Sequence, residues 1–163
     1  MKGINVDTSI HKSPITPAEL LSALHQIDTS VCDLKTIISA TTICFSEKQV
    51  YTQETLATCM QQLIDVTPIP ILYMRTVIQS VTMYPKLTAF VLIMMQRLIG
   101  KQIWKFPKVW EGFIKCCQRI KPVSHQLLLQ LPKEQLKEVL STAPDLKDYL
   151  VAHVQELNPQ QVC

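Results

Sequence analysis

Six cysteines, four histidines and one neighbouring Ser–His pair are the residues of this 163-residue chain with the chemistry for metal binding, thiol exchange or nucleophilic attack. Their spacing argues against all three. Cys32, Cys44, Cys59, Cys116, Cys117 and Cys163 never stand two to four residues apart, as zinc ligands do, and adjacent Cys116 and Cys117 cannot easily bridge each other. His11, His25, His125 and His153 never meet a cysteine at ligand spacing. Ser124 precedes His125, but adjacency along a chain does not aim a hydroxyl at its base. Of the carboxylates, Glu19, Asp33 and Asp145 sit where helix caps are expected, and no acid occurs between Val66 and Trp110. There is no GxSxG elbow, HExxH pair or phosphate-cradling glycine loop. The expectation is a non-enzyme with no metal and no cofactor. Its cysteines should be small core residues, kept as free thiols in a reducing compartment, since no apolar signal segment opens the sequence.

The other chemically pointed stretch runs from Arg97 to Lys121, RLIGKQIWKFPKVWEGFIKCCQRIK. Seven Lys or Arg stand there against the single acid Glu111, a charge of +6 in a chain whose net charge is +3. Trp104, Phe106, Trp110 and Phe113, four of the ten aromatics, are threaded through those charges. A positive surface over an aromatic wall suits an acidic partner. Plotted on a helix opened by Pro107, Val109, Trp110, Phe113, Ile114, Cys117 and Ile120 share one side, while Lys108, Glu111, Lys115 and Arg119 take the other. The aromatics and the cations then point opposite ways. That is a charged rim over a packed wall more than a base-stacking platform. The expected partner-binding residues are Lys101, Lys105, Lys108, Lys115 and Arg119. Acidic or amphipathic protein is the favoured partner, and RNA contact is secondary. No small-molecule ligand is expected.

The elements that must position this face are read from proline punctuation and apolar period. Hydrophobic residues make up 47% and charged residues 18%, an apolar balance against the usual charged share of about 25%. Only Gly3, Gly100 and Gly112 are glycine, too few for a sheet with tight turns. Thr16-Pro17-Ala18-Glu19 reads as a capping box opening a first helix. Asp33 opens a second, with Leu34, Ile37, Ile38, Cys44 and Phe45 on one side. Thr52 caps a third, with Leu56, Cys59, Met60, Leu63 and Ile64 at helical spacing. A fourth runs through Ile71, Met74, Ile78 and Val81 and stops before Pro85. The fifth, about Lys86 to Ile99, is apolar nearly all round and is expected to be the central core helix, with Gly100 as its stop. After the sixth come a short piece at Leu127–Leu129 and helices opened by Pro132 and Pro144. Lys133, Glu134, Lys137 and Glu138 are expected to pair on a solvated face. The fold class is all-α, a HEAT- or armadillo-like stack of seven to eight antiparallel helices. Residues 1–15 should be a flexible lead-in, 16–158 a single helical-repeat domain and 159–163 a tail. The longest uncharged apolar run, Leu87 to Gln96, is about half the length a bilayer requires, so no membrane span is expected.

The run KQIWKFPKVWEGFIKCCQRIKPVSHQLLLQLP resembles the C-terminal region of the symplekin family, as do YTQETLATCMQQLID and LYMRTVIQSVTMYPKLTAFVLIMMQRLI upstream. The likeness is close from Tyr51 to Pro132 and weaker out to Thr16 and Asn158. In the last 30 residues the helical outline persists better than the identities. The resemblance implies a nuclear, non-catalytic scaffold of the machinery that cleaves and polyadenylates pre-mRNA and cleaves histone pre-mRNA. It further implies docking of the C-terminal domains of the cleavage endonuclease and its inactive homologue, both metallo-β-lactamase proteins. It also implies that the chain is part of a longer protein.

Overall fold

The computed structural model describes residues 15–157. The expected tail, and all of the expected lead-in except Ile15, lie outside the described residues, as does Cys163. Among the described residues nine α-helices follow one another: α1 Pro17–His25, α2 Leu34–Ser46, α3 Gln53–Leu63, α4 Tyr73–Met83, α5 Thr88–Gly100, α6 Pro107–Arg119, α7 His125–Leu128, α8 Lys133–Thr142 and α9 Asp145–Leu157. Single 3-10 turns at Pro85–Leu87 and Ile103–Lys105 lead into α5 and α6. No strand occurs among the described residues. The chain is all-α. It exceeds the expected count because the single-turn α7 is included.

Two compact units divide the chain, one through Cys59 and one from Met60 onward, so the boundary falls inside α3. In the first, α1 packs on α2. Thr16 Oγ1 accepts from the Glu19 amide at 3.2 Å and donates to the Glu19 carboxylate at 3.0 Å, and Asp33 accepts from the Thr36 amide at 2.8 Å. The bonds from the Glu19 and Thr36 amides satisfy donors that an α-helix leaves open at its start. Leu21, Ile37, Phe45, Tyr51 and Leu56 are buried, and the Ser22 hydroxyl donates to Cys59 Sγ at 3.5 Å.

In the second unit, α4 packs on α6, and α5 packs on α7, each against its next-but-one neighbour; α9 packs on α6, α7 and α8. Such skip-one packing is what successive helical pairs laid side by side produce. The α4–α6 contact is unusually close. A Cβ at Gly112 would lie 2.5 Å from Met74 Cβ, so only glycine fits there.

Two element expectations need correcting. Ile71 precedes α4 and is exposed, and the helix buries Tyr73, Thr76, Val77 and Ser80 beside Met74 and Val81. Helix α5 is not buried all round: Val91, Met94, Met95 and Leu98 face inward while Ile93 is 54% exposed. That helix ends at Gly100, as expected, and the left-handed residue is Gln102, two positions on, at φ 56°.

Candidate functional site

Helix α6 and the turn before it carry the basic face. Pro107 supplies a pre-set φ at the first helical position, and Phe106, held in extended backbone before the proline, is the N-cap residue. Val109, Trp110, Phe113, Ile114, Cys116 and Cys117 are buried along one side. Trp110 stacks on Phe113 with ring centroids 5.3 Å apart and meets Trp104 edge-on at 6.3 Å. Trp110 is only 5% exposed, and its indole N–H donates to the Glu138 carboxylate of α8 at 2.9 Å.

Lys108, Glu111, Lys115 and Arg119 form the exposed stripe opposite, at i, i+3, i+7 and i+11. Lys101 and Lys105 are exposed on the approach to α6. Three of the segment's seven cations are paired: Arg97 with Asp65 at 2.6 Å, Lys115 with Glu111 at 3.3 Å, and Lys121 with Asp145 at 2.7 Å. Lys101, Lys105, Lys108 and Arg119 have no carboxylate partner among the described residues. All five expected residues therefore reach solvent on or beside one helix, and four of them have charge to spare.

Lys121 belongs with this surface but was outside the expected set. Its ammonium lies 5.7 Å from the Tyr149 ring centroid and is held above its ordinary pKa, first by the hydrogen bond to Asp145. Asp145, expected to cap α9, instead accepts from Lys121 and from Gln118 Nε2 at 3.0 Å, and those two bonds hold its carboxyl below the usual range. Sequence spacing could not reveal this tie, because the partners are 24 and 27 residues apart. Glu138 is a second such case. It serves Trp110, and the pair actually made on α8 is Lys137 with Glu134 at 3.9 Å.

The other candidate chemistry resolves into packing. The Ser124 hydroxyl is buried and donates to the Cys117 carbonyl at 2.7 Å, so its proton is not directed at His125. His125 Nδ1 contacts the Pro122 carbonyl, and its ring lies against that of His153. Cys44, Cys59, Cys116 and Cys117 are buried free thiols, whereas Cys32 is half-buried. Burial pushes the Cys59 thiol up to about 11 and Cys116 to about 12, and it raises Cys117 well above its ordinary value. Such thiols stay protonated and poorly nucleophilic. Among the described residues no three His, Cys, Asp or Glu side chains gather as a metal site would require, and no helix is long and apolar enough to cross a membrane.

A family model described as "Symplekin tight junction protein C terminal" matches residues 3–143. The chain belongs to this family. No solved structure matches it. The match to the symplekin C-terminal family begins before Thr16 and stops at the end of α8, so it reaches further back and less far forward than the resemblance in the sequence suggested. Every residue of the basic face lies inside it, while Asp145, Tyr149 and the rest of α9 lie beyond.

Proposed function

We propose that the chain is a non-catalytic scaffold domain that docks protein subunits of the nuclear pre-mRNA 3′-end cleavage and polyadenylation machinery. Its partners on this reading are the C-terminal domains of the metallo-β-lactamase endonuclease and its inactive homologue, including in histone pre-mRNA cleavage. Membership of the symplekin C-terminal family supports a scaffold role in 3′-end processing. The observation that carries the site is the stripe of Lys108, Lys115 and Arg119, with Lys101 and Lys105 on its approach, set opposite a buried wall of Trp110, Phe113 and Ile114. Cations backed by a rigid wall keep their positions, as an electrostatically complementary protein interface needs. A base-stacking surface would need open aromatic faces beside those cations. Trp110 and Phe113 are turned inward and leave Phe106 as the one exposed aromatic of the segment, too few for a stacking row, which favours protein over RNA as the occupant.

The test is a pull-down of the paired endonuclease C-terminal domains by this chain and by its Lys108→Glu/Lys115→Glu/Arg119→Glu variant. The three residues are exposed, so the variant should melt like the parent, each change costing under about 0.5 kcal/mol. Binding should fall at least about tenfold, because like charges opposed at a rim cost several kcal/mol in sum. Wild-type capture across a salt series would place the docking site elsewhere. Tight, sequence-sensitive RNA binding that survives physiological salt would favour the RNA reading instead.

A further inference from the structure

Beside the basic stripe lies a small apolar notch. Val66, Thr67, Pro68 and Ile69, the turn after α3, form one wall; Phe106 and the stem of Lys101 form the other. Its volume is about 150 Å³. That is well below the few hundred Å³ of a typical small-molecule site. It matches one aliphatic side chain of about leucine size. Phe106 is 39% exposed there, although the other aromatics of its segment are more enclosed, because it precedes the proline and so stands off the buried face of α6.

Unpaired charge around the notch has one sign. Lys101 lines it, Lys105 directly precedes Phe106 and Lys108 follows one residue beyond Pro107; none of the three has a carboxylate partner among the described residues. The nearest acid in sequence, Asp65, is engaged by Arg97. The residues outside the described range do not complement this rim: residues 1–14 hold Lys2 and Lys12 against Asp7, and residues 158–163 hold no charged side chain.

We propose that this notch receives a single apolar side chain from an acidic, extended segment of a partner protein, with the flanking carboxylates on Lys101, Lys105 and Lys108. The inference rests on reading the basic face as a protein-docking surface, and it assigns that surface an apolar anchor point. Anchors of this kind supply affinity while surrounding charges supply register and on-rate.

The test uses the whole chain and two labelled peptides, one with a central leucine between triplets of Asp and Glu, the other with serine in its place. Backbone amide NMR shifts on titration should cluster at Val66, Ile69, Lys101 and Phe106 for the leucine peptide. Its affinity should exceed that of the serine peptide by about tenfold, the effect of burying one aliphatic side chain. Phe106→Ala should abolish that preference while leaving weak charge-driven binding, and Lys105→Glu, at a rim residue outside the notch wall, should weaken both peptides alike. Equal affinities for the two peptides, or shifts confined to Lys108, Lys115 and Arg119, would overturn the notch while leaving the basic face standing. Notch shifts that move with protein concentration alone would overturn it in favour of a second copy of the chain. If the leucine preference holds but the triple charge reversal still captures the endonuclease domains, the notch stands and the identity of the partner falls.

Discussion

Two glycines show how far a single residue's meaning depends on its neighbours. Gly112 lies in the middle of α6, where a glycine costs up to about 1 kcal/mol of helix stability relative to alanine. What offsets that cost is the approach of α4, whose Met74 Cβ stands where an alanine methyl would go. Gly112→Ala should therefore destabilise the chain by about 1–3 kcal/mol, as overpacking does, despite the better helix propensity. Gly100 has nothing within 4 Å of its missing Cβ and an ordinary negative φ. Gly100→Ala should be neutral or stabilise by up to about 1 kcal/mol. Urea denaturation of the two variants checks both signs at once. Both glycines were visible in the sequence, and Gly100 ends its helix as read there. The left-handed backbone falls two residues later, on Gln102, which no propensity would nominate.

At the scale of helices, the sequence was most legible where a signal is local. Caps at Thr16, Asp33 and Thr52, and prolines at or just before the starts of α5, α6, α8 and α9, lie within a turn of where they act. The two-sided character of α6 followed from its period alone. What could not be read was which helix faces which. Ile78 looked as apolar as Val77, yet Val77 is fully buried and Ile78 only half-buried, because burial is set by the neighbouring helix rather than by α4 itself. Ties between elements were equally hidden. Glu138 looked like one more solvated charge, but it accepts from the Trp110 indole across 28 residues. Glu138→Ala should cost about 1–2 kcal/mol, since it leaves a nearly buried donor unmet, and Trp emission should shift as the indole rehydrates. Glu138→Gln, which keeps an acceptor oxygen, should recover most of the loss. The basic face itself was legible as charge, whereas the notch beside it joins residues from two distant turns and was not.

Across the molecule, the two units carry different sensitivities. His25, in the first, is buried, and burial holds its imidazole below the ordinary value against the opposing hydrogen bond with the Leu21 carbonyl at 2.7 Å. The unfolded chain then takes up the proton first. Stability should be full above about pH 6.5 and should fall as the pH drops through that value toward the lower folded-state pKa. His25→Gln should flatten the decline, as read by amide exchange across residues 15–59 at pH 7.5 and 5.5; an unchanged slope would assign the acid response to other groups. The distribution of sulfur offers another handle on the same units. The first encloses Cys44 and Cys59, the second Cys116 and Cys117, and each pair is shut away from water. An alkylating reagent can reach either pair only during a transient opening, so the mass added at each pair with time records how often its unit opens. Without a label or a mutation, the chain carries a separate clock in each half.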